Sequence, residues 1–223
     1  MPFLHPLLKN LDQNELLRYA GVREDTAALE ESLAAAIKEA YLYCQPKGVW
    51  ELYKYEQPAI KSDTQEYLPA SEKLCLHLRG SLKVAVLAVT VGEEVEKRIE
   101  TLFASGEYTK AVLLDAAATV ATEQTADQVC AFIADSVKKE GLFTGVRFSP
   151  GYGDWDIKEQ PNVLTLANAT AIGITMTKSF MLLPRKSVTA IVGLKPLAGE
   201  KEQPDNCSLC EKTDCQLRRK TNA

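Results

Sequence analysis

Histidine is scarce: the 223 residues hold only His5 and His77, and neither stands near a nucleophile motif, so no hydrolytic triad is written into the chain. There is no G-x-G-x-x-G. The strand-glycine-helix junction at Gly92 runs straight into Glu93 and Glu94, whose charge opposes a phosphate at that helix start. No apolar run reaches the ~20 residues of a membrane-crossing helix. The opening segment also lacks the charged start and long apolar centre of a signal peptide. A basic excess is missing too. Lys and Arg number 26 against 30 Asp and Glu, a net charge of -4, which gives no bulk attraction to nucleic acid or to an anionic membrane. The expectation is a cytoplasmic protein with neither as partner. What is present suffices for a folded core, with 46% hydrophobic and 25% charged residues. The six cysteines then read as reduced thiols or metal ligands rather than a disulfide framework.

In chain order, residues 1–11 carry two prolines and no period, an extended arm. Residues 12–21 read as a short helix with an acidic start and a glycine stop. Residues 23–43 read as an amphipathic helix with Ala27, Ala28, Leu33, Ile37, Ala40 and Tyr41 largely on one face. A strand is expected over 49–55, a short one over 64–68 and a short helix over 71–78. Cys75 and His77, two apart, would face apart on that helix, a packed thiol beside an exposed or hydrogen-bonded histidine. The β-branched run 81–92 predicts a strand buried on both faces at the sheet centre. An acidic start then opens a helix from residue 93. Residues 108–139 contain neither Gly nor Pro and predict one long helix, kept small-faced by Ala116, Ala117, Ala118, Ala121 and Ala126. Residues 161–172 read as a helix with proline in its first turn. Residues 175–183 and 187–194 read as two strands of a hairpin joined through 184–186. The fold class expected is α+β, with a central, mostly antiparallel twisted sheet flanked by long helices. The chain divides into an N-terminal arm and helices (1–45), a core (46–196), and a linker with a Cys-rich tail (197–223).

Two stretches carry chemistry. At 147–152 the chain reads Arg-Phe-Ser-Pro-Gly-Tyr within one turn of irregular backbone. Pro150 fixes its φ, and Gly151 and Gly153 open conformations closed to other residues. Arg147 offers a planar fork for a carboxylate or phosphate, and Tyr152 a flat ring with a polar tip. The segment suits a small ligand bearing an anion and a ring, although spacing alone favours an ordinary tight turn with a surface ion pair. In the tail, Cys207, Cys210 and Cys215 form C-x-x-C-x-x-x-x-C. A zinc or iron–sulfur site leads the readings, a redox thiol pair follows, and plain surface thiols come last. The motif lacks a fourth ligand. Arg218, Arg219 and Lys220 beside it serve solubility or docking to an acidic electron donor.

Arg147-x-x-x-Gly151-Tyr152, followed by I-T-M-T-K-S-F-M-L-L-P at 174–184 and S-V-T at 187–189, resembles the activation domain of cobalamin-dependent methionine synthase, in a stand-alone form. The likeness is specific from about residue 111 to 194. In that family the R-x-x-x-G-Y loop contacts S-adenosylmethionine, and the T-x-S-F-x-x-x-P and S-V-[ST] segments support it. The resemblance implies that Arg147 holds the ligand's carboxylate and that Glu123, on the long helix, meets its positive end. Ser149, Pro150, Gly151 and Tyr152 would line the pocket. It places Val192 where the family carries an aromatic ligand contact. The implied function is to supply S-adenosylmethionine for reductive methylation of the cobalamin held by a partner methionine synthase chain, with the electron from a donor such as flavodoxin or ferredoxin. The tail is expected, on spacing alone, to relay that electron. Two further roles stay open: an accessory module that binds S-adenosylmethionine or a corrinoid without methyl transfer, and a zinc-stabilised partner in which the loop is only a turn.

Overall fold

The computed structural model describes residues 2–22, 29–62 and 66–197. Helix α1 (Gln13–Tyr19) starts where the Asp12 side chain accepts from the N–H groups of Asn14 and Glu15, satisfying donors that a helix start leaves open. Helix α2 (Glu30–Tyr43) buries Leu33, Ala36 and Ala40 on one face. Residues 23–28, expected to open this helix, lie outside the described residues. The N-terminal arm is extended and contributes a two-residue strand, β1 (Phe3–Leu4), which pairs with β2 (Lys47–Glu56). There follow β3 (Ala59–Lys61), β4 (Glu66–Tyr67), α3 (Glu72–His77), β5 (Lys83–Thr90), α4 (Glu94–Ala104) and α5 (Tyr108–Lys138). The last part holds β6 (Leu142–Phe148), α6 (Gln160–Ala167), β7 (Thr175–Met176), β8 (Leu182–Leu183) and β9 (Ser187–Pro196).

Seven strands form one open sheet in the order β4-β3-β2-β5-β9-β6, with β1 also paired to β2. Every pairing in it is antiparallel. The α+β expectation holds, and β5 is central as its apolar run requires: all its residues after Lys83 are buried. Its alternation feeds two cores. Ala85, Leu87 and Val89 face α5 with Ala126, Val129 and Ile133, while Val84, Val86 and Ala88 pack toward α6 and α3 with Val163, Leu166 and Leu74.

Helix α5, ~46 Å long at 1.5 Å per residue, joins the two halves of the molecule. Its first half packs against α1, α2 and α4 through Leu113, Leu114, Ala117 and Ala121. Its second half lies on the sheet through Ala126, Val129, Ile133 and Val137. The contact is close enough that a Cβ on Gly48 of β2 would stand 2.4 Å from Val129 Cγ2.

Three expectations are corrected. Arg147 and Phe148 are the end of strand β6, paired with Val192 and Ile191 of β9, rather than part of an irregular turn. A register shift between Thr144 and Arg147 interrupts the alternation, which hides the strand in the sequence. Residues 175–183 and 187–194 do not form a hairpin with each other. Instead β7 and β8 make their own small hairpin, because Thr177 closes a turn: its hydroxyl accepts from the N–H groups of Ser179 and Met181, each at 3.2 Å. That leaves β9 to enter the main sheet between β5 and β6. Finally, α6 stops at Ala167, where Asn168 adopts φ 53°, and continues only as a 3-10 turn to Ile172.

Candidate functional site

A cleft of about 270 Å³ opens where the middle of α5, the end of β6, the start of β9 and the β7–β8 hairpin meet. Glu123 of α5 and Arg147 of β6 both line it, and Arg147 Nη2 donates to Glu123 Oε2 at 2.9 Å and to Asp127 Oδ1 at 2.9 Å. Arg147 is 20% exposed at its side chain and Glu123 34%, so the pair is partly withdrawn from water, and a charge-assisted bond gains strength there. Asp127 was not anticipated, although its place four residues after Glu123, on the same helix face, is the signal that would have found it.

The same face carries a longer polar stripe. Asp115, Thr119, Glu123 and Asp127 recur every four residues along α5. Lys186 Nζ donates to Thr119 Oγ1 at 2.8 Å and stands 2.9 Å from Asp115 Oδ1, while Arg147 takes the other two. Two cations therefore fasten β6 and the start of β9 to one helix.

Beyond Arg147 the chain turns sharply. Tyr152 N–H donates to Ser149 O at 3.2 Å, and Gly151 N–H to Trp155 O at 2.7 Å. Gly151 has φ 93°, a conformation that favours glycine and explains its place in the motif. Ser149, Pro150 and Tyr152 line the cleft; Pro150 is buried and Tyr152 is 60% exposed. Asp154 pins the loop to α3. It accepts from Ser71 Oγ at 2.5 Å and from the N–H groups of Glu72 at 2.9 Å and Lys73 at 3.2 Å. The Ser71 bond, followed by those backbone donors, holds its carboxyl below the usual range. Trp155, 1% exposed, stacks against Phe148 at 6.1 Å between centroids.

The strand leading into the loop is braced as well. His77 Nε2 donates to Val146 O at 2.7 Å, next to the β6 register shift. Burial lowers the His77 pKa from its ordinary value. Cys130 packs beside Arg147, and burial pushes its thiol up to about 11. It is a neutral packed thiol, as are the other described cysteines, Cys44 and Cys75, by the direction of their shifts.

Other lining residues come from segments remote in sequence. Gln160, 2% exposed at the start of α6, donates from Nε2 to Thr189 Oγ1 of β9 at 2.5 Å, and both line the cleft. Phe180, held at φ 65° in the hairpin tip, closes one wall with Met181 and Leu182. Val192 is elsewhere: it is 1% exposed and packs in the α5-facing core, so its side chain does not line the cleft. The cleft thus combines one acid, two arginines counting Arg185, several hydroxyls and an apolar wall, a surface suited to a small zwitterionic molecule with a ring.

Among the described residues, no group of three or more His, Cys, Asp or Glu side chains is placed to hold a metal ion. Cys207, Cys210 and Cys215 lie outside the described residues. No described helix is long and apolar enough to cross a membrane.

Among solved structures, the chain is similar to the crystal structure of the MetH reactivation domain bound to AdoHcy, with a TM-score of 0.59 and 17% identity over 81% of this chain and 69% of that one. At that identity the likeness is one of fold. No curated protein sequence matches this chain. The family model for the vitamin B12 dependent methionine synthase activation domain matches residues 53–200, the span that holds most of the sheet, α5, the R-x-x-x-G-Y loop and the hairpin. The chain belongs to that activation-domain family.

Proposed function

We propose that the cleft binds S-adenosylmethionine and presents its methyl group to the cobalamin of a methionine synthase chain, for reductive methylation of the oxidised cofactor. The observation that carries this reading is the Glu123–Arg147 pair, 2.9 Å apart, in a cleft bounded by the R-x-x-x-G-Y loop and the T-x-S-F hairpin. The fold it shares with a reactivation domain bound to AdoHcy supports it. S-adenosylmethionine carries an ammonium, a sulfonium and a carboxylate, so it needs acid and base side by side. Glu123 meets the positive end and Arg147 the carboxylate end while holding Glu123 in place. Ser149, Pro150, Gly151 and Tyr152 shape the wall around the ring. The methyl group is transferred as the sulfonium leaves as a thioether, and one electron from a donor such as a flavodoxin or ferredoxin balances the step. The protein's share is positioning and charge matching, with no general acid or base required. A metal or iron–sulfur centre at Cys207, Cys210 and Cys215 is a separate proposal, supported by their spacing.

The test mixes the protein with a cobalamin-bearing synthase chain in the cob(II)alamin state, a one-electron reductant and methyl-labelled S-adenosylmethionine. Label is expected on the cobalamin only when this protein is present, and not with Arg147→Ala. Tight ligand binding without label transfer would instead make the protein an accessory module.

A further inference from the structure

Arg185 lines the same cleft as Glu123 and Arg147, and its backbone is firmly placed. The next residue's N–H donates to Glu96 Oε1 at 2.8 Å, and its carbonyl accepts from Val91 N–H at 3.1 Å. The Lys186 side chain is bonded to Thr119 of α5 at 2.8 Å. Thr119 lies one helical turn before Glu123, a rise of about 6 Å, so the Arg185 segment is anchored within one turn of the cleft's acid.

The Arg185 guanidinium itself is loosely held. Its contacts are Nε to Glu96 Oε2 at 3.6 Å and Nη2 to Glu100 Oε1 at 3.6 Å, both longer than a hydrogen bond. The Arg185 side chain is 57% exposed, Glu100 is 70% exposed and Glu96 12%. Arg147 is in the opposite condition, 20% exposed and bonded to two carboxylates. Much of its hydrogen-bonding capacity is therefore taken up by Glu123 and Asp127. The cleft therefore holds one cation bonded closely to two acids and one that is more exposed and held only by longer contacts, while Glu96 keeps the Lys186 N–H as a donor.

We propose that Arg185 joins Arg147 in a two-arginine clamp on the carboxylate of the ligand's amino-acid head group, with Glu123 taking the ammonium. The proposal rests on S-adenosylmethionine as the ligand. Its consequence is specificity: Arg185 makes the cleft distinguish a sulfonium ligand that carries the carboxylate from one that lacks it.

Calorimetric titration of wild type, Arg185→Ala and Arg185→Lys with S-adenosylmethionine and with its decarboxylated analogue separates the outcomes. Arg185→Ala should weaken S-adenosylmethionine about tenfold, the scale of one charge-assisted bond, and leave the analogue unchanged. Arg185→Lys should recover part of the loss, keeping the charge without the planar fork. Equal losses for both ligands would mean that Arg185 only supports the loop, and no loss for either would mean that it does not touch the ligand. Each result overturns the proposal while leaving the functional reading in place. Failure of wild type to bind either ligand would overturn the functional reading itself.

Discussion

Asp154 Oδ1 lies 2.5 Å from Ser71 Oγ, which ties the loop that shapes the cleft to the start of α3, whose Leu74 shares a core with Trp155 of that loop. The same carboxylate also accepts from the N–H groups of Glu72 and Lys73, so it serves as a helix cap contributed from 81 residues away or more.

Asp154→Ala should therefore do two things. Loss of a capping acceptor costs about 1 kcal/mol, visible as a lower midpoint in thermal unfolding. The freed loop should also bind S-adenosylmethionine several-fold more weakly, because ordering it would then be a cost of binding. A variant of equal stability loss at a remote core position should keep its affinity, and comparing the two checks the coupling.

His77 gives a pH dependence with a defined sign. In the unfolded chain its imidazole titrates near the ordinary 6.5, whereas burial, with the charge of Lys195 adding, depresses it in the folded protein. Below about 6.5 the unfolded chain then binds a proton that the folded protein resists, so this contribution is intact above that pH and is lost as pH falls. Denaturant unfolding at pH about 7.5 and about 5.5 should show a larger drop for wild type than for His77→Gln, which offers a donor to Val146 O without titrating. Carboxylates such as Asp154 act at lower pH and are common to both proteins.

Gly48→Ala tests the packing of α5 on the sheet. The added Cβ would meet Val129 Cγ2 at 2.4 Å, closer than real contacts allow, so helix and strand must shift. Overpacking of this kind costs roughly 1–3 kcal/mol. Thermal unfolding should register it, and the affinity of the cleft should fall with it if α5 moves at Glu123.

What was legible in the sequence follows from how each element is buried. β5 announces itself because it is apolar on both faces, and α5 because 31 residues run without glycine or proline. β6 does not, since its residues after Leu142 are only half-buried and a register shift breaks their alternation. The β7–β8 hairpin was concealed by the longer apolar run of β9, and the backbone and side-chain bonds of Thr177 reveal where it closes. Glu123, Arg147 and the loop were found through the family motif. Gln160, Phe180 and Arg185 were not proposed as site residues, because no local pattern in sequence says that α6, a hairpin tip and a strand entry converge on one cleft. Val192 illustrates the reverse: counting along the motif points to the ligand, whereas its side chain packs with Val129 and Ala126 in the core facing α5.

The measurement that bears most directly on the cleft is calorimetric titration of the purified protein with S-adenosylmethionine, alongside Glu123→Gln and Arg147→Ala. Wild type should bind in the micromolar range, and each variant should lose about tenfold or more, with the double variant losing less than the sum of the two because the residues hold each other. No binding by wild type, or undiminished binding by both variants, would contradict the assignment of this cleft as the S-adenosylmethionine site.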